Sequence, residues 1–175
     1  MTWLCVTLLS VLYFIYCSEM WNQLDALTGL LNQNSYLNRT AEMNERDKVL
    51  VVFDVDDFKQ VNDRYGHVKG DICLAEIAAC IKRAYARHGY CYRTGGDEFC
   101  VLLRDGDKEH ACARDFVRRL SERRKELDFL PTVSFGSAEI SNENVVTVKD
   151  RADHNMYRYK KERKAHRMSG DAGEE

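Results

Sequence analysis

Proline is nearly absent from this chain: Pro131 is the only one in 175 residues. There is also no internal repeat and no low-complexity stretch, so nothing marks a linker between separate domains. Net charge is close to balanced, at −2. That balance gives no general attraction to a polyanion, and no nucleic-acid partner is expected. None of the seven cysteines stands in a C-x-x-C pair, which removes the commonest thiol-based metal and redox motifs. Most of the cysteines lie in apolar stretches and are expected as reduced, buried thiols. The alternative is a disulfide between Cys91 and Cys100.

Charge is missing altogether from residues 1–18, and the first basic residue is Arg39. With no basic leader and no small-x-small cleavage site, a secretory signal is less expected than a membrane span. The stretch from Trp3 to Cys17 is almost wholly apolar. Its length is at the margin for a membrane-spanning helix, and Tyr13, Tyr16 and Trp21 would suit an interfacial belt. Residues 1–21 are therefore expected to form a hydrophobic, candidate transmembrane helix. The alternative is a helix packed against its own domain or a partner.

What remains is rich enough to fold. Hydrophobic residues make up 45% and charged residues 31%, which describes one globular domain with a real core. That domain is expected over residues 22–167, followed by a disordered tail at 168–175. Residues 34–46 read as a helix. The run from Lys48 to Asp54 reads as a strand buried on both faces. Residues 70–87 repeat apolar positions at helical spacing. Two strands, 90–94 and 99–103, flank the turn Gly95-Gly96-Asp97-Glu98. A helix over 108–127, a strand over 132–140 and a basic helix over 149–167 complete the order. Alternation of strands and helices with one hairpin predicts an α/β domain with a mixed central β-sheet flanked by helices.

Two acidic clusters carry the chemistry. Asp54-Val55-Asp56-Asp57 ends the buried strand, where carboxylates are costly unless solvated, paired or metal-bound. On spacing alone, a metal role and a solvated acidic turn stand side by side. Gly95-Gly96-Asp97-Glu98 adds two acids behind glycines that let a backbone approach a ligand; alone it is also an ordinary hairpin. If the hairpin lies beside the first strand, Asp54 and Asp97 converge and can hold Mg²⁺ through hard oxygen ligands.

Taken together, these motifs resemble the GGDEF family of diguanylate cyclases. Thr94-Gly95-Gly96-Asp97-Glu98-Phe99 matches the naming motif, and Asp25-Ala26-Leu27-Thr28-Gly29-Leu30-Leu31-Asn32 matches the opening segment. Phe53 to Lys59 matches the metal strand, and Asn62 to His67 with Gly70-Asp71 matches the substrate segment. Val133 to Gly136, with Ala152, Asp153, Tyr157 and Lys160, matches the closing strand and helix. The resemblance covers about residues 25–164. It implies a homodimer that condenses two GTP molecules into cyclic di-GMP with Mg²⁺ or Mn²⁺, each domain supplying half of the active site. It also implies a cytoplasmic catalytic domain, which residues 1–21 would anchor to the inner membrane.

The resemblance assigns Asp54, the Val55 carbonyl and Asp97 to the divalent ions, with Asp97 and Glu98 as the catalytic acids of the turn. Asn62 and Asp71 match guanine-reading positions; without the family, both read as caps of helix ends. Gly95, Gly96, Lys59, Lys160 and Lys164 would meet phosphates or ribose. Phe58 matches a recurring position but suits packing, and His67 suits a structural role. The chain also departs from the pattern. Ala86 and Gly89 occupy the two charged positions of the usual inhibitory product site, so no feedback inhibition through that site is expected. Lys164 stands where an arginine is usual and cannot offer a bidentate fork.

Overall fold

The computed structural model describes residues 2–41, 47–141 and 143–170, and the side chains of all of these except 2, 4, 16–21 and 162–170. Strand β1, Val49–Val55, is the centre of the domain. Its aliphatic and aromatic residues are buried on both faces, and only Asp54 is partly exposed. Strand β3, Glu98–Leu103, lies along one side of β1, with Val49 opposite Leu103 and Asp54 opposite Glu98. Strand β4, Val133–Glu139, lies along the other, with Val55 opposite Val133. Strand β2, Gly89–Arg93, adds to the far side of β3. The order is β2-β3-β1-β4.

The expected mixed sheet is corrected by this topology, because every pair of neighbouring strands is antiparallel. The helical crossovers do return the chain in its original direction. However, β3 slots between β1 and β2, and β1 slots between β3 and β4, so no two parallel strands become neighbours.

Strand alternation divides the core into two layers. Val51, Phe53, Val55, Phe99 and Val101 face the helices α4, His67–Tyr85, and α5, Glu109–Glu126. Phe53 meets Tyr85 and Phe116 edge to face at 5.6 and 5.2 Å, a preferred aromatic geometry. On the other face, Leu50, Val52, Cys100 and Leu102 meet Tyr36 of α2, Gln33–Ala41, and Val148 and Ala152 of α6, Val145–Gly170. Here α6 lies directly on β4. A Cβ at Gly136 would run into the Ala152 carbonyl and the Met156 amide, so only glycine permits this approach. Between β1 and α4 the chain forms a short helix, α3, Phe58–Tyr65, which the sequence reading did not anticipate.

The two-layer core also decides the cysteines. Cys91 lies in the first layer and Cys100 in the second, so the sheet separates them and both are free. Burial pushes their thiols up to about 12 and about 11, which makes them inert.

The first helix, α1, spans Thr2–Trp21. Among the described residues no helix is long and apolar enough to cross a membrane. The fifteen residues from Trp3 to Cys17 rise only about 22 Å, against ~30 Å for a hydrocarbon core. The expected membrane anchor therefore finds no support here. Trp3, Leu8, Leu9, Leu12, Tyr13 and Phe14 are exposed. The basic helix expected over 149–167 is α6, which begins earlier and continues to Gly170; residues 171–175 lie outside the described set, as do residues 42–46 of the helix expected over 34–46.

Candidate active site

The candidate site forms at the end of the sheet where β1 stops and the β2–β3 hairpin turns. The turn is closed by Thr94 N donating to the Glu98 carbonyl at 3.0 Å. Val55 N donates to the Asp97 carbonyl at 3.3 Å, so the Gly95-Gly96-Asp97-Glu98 turn does lie beside the end of β1. Asp54 and Glu98 are direct cross-strand partners. Asp97 is half-buried and Glu98 exposed.

Lys160 of α6 reaches into this end. Its Nζ lies 2.8 Å from Asp54 Oδ2 and 3.2 Å from Asp56 Oδ1. The side chains are 29% exposed for Lys160, 28% for Asp54 and 12% for Asp56, so the cluster is partly shielded from water. Burial works to lower the Lys160 pKa, but the two carboxylates outweigh it and hold the ammonium above its ordinary value. Asp56 is seated at the start of β4: Thr132 Oγ1, just before the strand, and Ser134 Oγ, within it, donate to its two carboxylate oxygens, each at 2.7 Å. Burial works to raise the Asp56 pKa, but these hydroxyls and the Lys160 ammonium bring it below its ordinary value. Beside them, Asp153 is pushed up by burial and by the nearby Asp150 and Asp54 charges, against the pull of Lys149.

The guanidinium of Arg93 braces the turn from behind. Nη2 and Nε donate to the Gly96 carbonyl at 2.8 and 3.2 Å, and Nη1 donates to Asp25 Oδ1 at 3.1 Å. Asp25 in turn accepts from the Thr28 amide and hydroxyl. The opening segment is thereby fastened to the acidic turn.

Asn62 lies within α3, with its side chain against Gly70 of α4. Its amide oxygen is buried without a hydrogen-bond partner. A Cβ at Gly70 would overlap that oxygen and crowd the Phe58 ring, so Gly70 is what allows Asn62 to lie there. The capping alternatives fail at both guanine-reading candidates. Helix α4 starts at His67 after a Gly66 cap, which leaves the exposed Asp71 inside the helix. Asn62 contributes its backbone carbonyl, not its side chain, to the end of α3.

The remaining candidates are spread more widely. Phe58 packs against the core, as expected, while Lys59 and His67 are exposed. The Lys164 side chain lies outside those described. Ala86 ends α4 and Gly89 begins β2, and a Cβ at Gly89 would meet the Leu102 carbonyl. Four residues escaped the sequence reading: Asp56 as a seat for Lys160, Thr132 and Ser134 beneath it, and Arg93 behind the turn. The alternating positions 54 and 56, and 132 and 134, were the available signal.

A divalent ion fits this end in a limited way. Among the described residues no group of three or more His, Cys, Asp or Glu side chains is arranged to hold a metal. Two carboxylates and a carbonyl suit Mg²⁺, which keeps water and phosphate oxygens in its other positions. The ammonium lodged against Asp54 and Asp56 shows that this end of the sheet accepts a cation.

Fold and site together define an α/β domain that gathers carboxylates, a glycine turn and a lysine at one end of its sheet. The chain belongs to the GGDEF domain family: the family model described as "Diguanylate cyclase, GGDEF domain" matches residues 22–166. Diguanylate cyclase DgcM of Escherichia coli K12 is 34% identical over 145 residues, which cover 78% of this chain and 35% of that protein. The GGDEF domain of DgcB from Caulobacter crescentus, solved in complex with c-di-GMP, superposes with a TM-score of 0.69 at 29% identity. That match covers 79% of this chain and 90% of the other. A structure of the coiled coil and GGDEF domain of the same protein gives a TM-score of 0.75 at 28% identity, covering 90% and 92%. The first curated relatives are longer proteins, of which this chain spans 13% to 37%.

Proposed function

We propose that this chain is a diguanylate cyclase that condenses two GTP molecules into cyclic di-GMP and releases pyrophosphate. The observation that carries this reading is the Val55–Asp97 backbone hydrogen bond, which holds the glycine turn beside the carboxylate end of β1. Asp54, the Val55 carbonyl and Asp97 are the groups that would hold Mg²⁺ or Mn²⁺. Such an ion, when bound, neutralises phosphate charge and polarises the oxygens of an in-line displacement.

The chain's own residues supply the rest. Gly95 and Gly96 let the turn approach phosphate and ribose closely. Lys160 offers positive charge to the phosphates. Asn62 and Asp71 read the guanine edge, whose N1–H and N2–H donors match a carboxylate; adenine has no donor at N1. The buried, unpartnered amide oxygen of Asn62 supports this, since such a group costs about 1–3 kcal/mol unless a ligand satisfies it. Asp97, or a water beside it, receives the proton of the 3′-hydroxyl as that oxygen attacks the α-phosphate of the second GTP; Glu98 borders the same turn.

Each domain offers one such site, so the product requires a second copy of the chain. The exposed apolar side chains of α1 support association between copies. Ala86 and Gly89 support a cyclase without the usual product-inhibition site. The test is pyrophosphate and cyclic di-GMP production from GTP and Mg²⁺, with and without a fused dimeric coiled coil. Asp97→Ala is expected to abolish turnover and preserve the fold. Nucleotide binding without turnover in the fused dimer would instead identify a silent GTP-binding module.

A further inference from the structure

The two carboxylates that hold Lys160 are not equivalent. Asp56 is seated by the hydroxyls of Thr132 and Ser134, and its amide donates to the Thr132 carbonyl at 2.9 Å. Asp54 stands at the open end of β1 with Lys160 Nζ at 2.8 Å. A divalent ion that takes Asp54 meets an ammonium already on that carboxylate, at Oδ2. Two cations at contact distance on one carboxylate repel each other strongly. The lysine nevertheless has a second seat within reach, 3.2 Å away on Asp56.

We infer that Lys160 is the resident counter-cation of the divalent site, neutralising Asp54 before the ion arrives and withdrawing onto Asp56 when the ion takes Asp54. Asp56 is then a positioning residue. It keeps the ammonium at the site, aimed at incoming phosphates, and prevents it from being expelled into solvent. This inference rests on the reading of Asp54 as a metal ligand.

The consequence is a pair of effects with opposite signs. Removing the ammonium leaves Asp54 open, so divalent binding in the absence of nucleotide tightens. The same change removes a phosphate contact, so GTP binding weakens. Simple structural damage would weaken both.

The experiment is a Mn²⁺ titration of the full chain without nucleotide, read as loss of the free-ion electron paramagnetic resonance signal. Wild type, Lys160→Met, Lys160→Gln and Asp54→Asn are compared. Lys160→Met is expected to bind Mn²⁺ roughly threefold to tenfold more tightly than wild type, the scale of one partly exposed ion pair. Lys160→Gln, which keeps a polar stem and a donor, shifts the same way. Both bind GTP several-fold more weakly, and Asp54→Asn loses the ion. Unchanged or weaker Mn²⁺ binding in both lysine variants, with wild-type binding intact and lost in Asp54→Asn, overturns the counter-cation role and leaves the metal reading standing. If neither wild type nor the lysine variants bind Mn²⁺, the metal reading itself falls, and the counter-cation role falls with it.

Discussion

Arg93 and Asp25 stand 68 positions apart in the chain, yet Nη1 of one meets both carboxylate oxygens of the other at 3.1 and 3.2 Å. The same guanidinium holds the carbonyl of Gly96, the residue before Asp97. One planar side chain therefore joins the segment that follows α1 to the turn that carries the candidate metal ligand. The backbone reinforces it, since Arg93 N donates to Leu31 O at 2.8 Å and Leu31 N to Cys91 O at 3.0 Å.

This brace predicts that charge alone is not enough. Arg93→Lys keeps the charge but loses the fork that serves two acceptors at once. It is expected to lower kcat/KM by about tenfold, and Asp25→Asn by a similar factor, because both release the same turn. The double variant should then cost no more than the worse single one. A fully additive loss in steady-state kinetics would show that the two residues act separately.

Gly70→Ala tests how Asn62 is placed. The new methyl group would overlap the Asn62 amide oxygen, and crowding of this kind costs about 1–3 kcal/mol of stability. If Asn62 reads guanine, KM for GTP rises by about tenfold while kcat changes less. The preference for GTP over ITP, whose base lacks the 2-amino group, also falls. A substitution that merely loosens the fold lowers active protein but leaves that ratio alone, so the ratio is the deciding measurement.

Acid stability follows from Asp56. Burial opposes its charge, but Thr132, Ser134 and Lys160 outweigh burial and hold its pKa below the ordinary value. A carboxylate with a depressed folded pKa contributes stability that is fully present above the unfolded pKa. That stability is lost as pH falls through the folded one. The loss is therefore expected below about pH 4, the ordinary carboxylate range. Urea midpoints measured from pH 6 downward should fall less steeply in Asp56→Asn than in wild type. Parallel curves would remove Asp56 from the acid transition.

Product inhibition should be weak. Ala86 and Gly89 offer no charge at the two positions where the family's inhibitory site carries Arg and Asp. At Gly89, a side chain would also meet the Leu102 carbonyl, so β2 pairs closely with β3 there. Initial rates at rising cyclic di-GMP should show competition with GTP at most. Strong non-competitive inhibition would reveal a product site elsewhere in the chain.

Much of this domain was legible without coordinates. The apolar run before Asp54 announced a buried strand because both of its faces must be covered. Gly95-Gly96 announced the hairpin because glycine tolerates the turn, and the 3.6-residue spacing of Leu74, Ile77 and Ile81 announced α4. The order of motifs along the chain is by itself enough to indicate the family. Strand neighbours were another matter. The alternation of helix and strand suggested parallel pairs, and only the insertion of β3 beside β1 made every pair antiparallel. In the same way, sequence could place Asp54, Asp56, Arg93 and Lys160 on their elements but could not say which would meet. Local pattern determines what each segment becomes, because hydrophobic period and turn chemistry act over a few residues. Tertiary packing alone decided that Lys160 lies on Asp54 and Asp56, and that Arg93 joins Asp25 to Gly96. Those contacts depend on how α6 docks over Gly136 and how the opening segment pairs with β2, distances that no local spacing encodes.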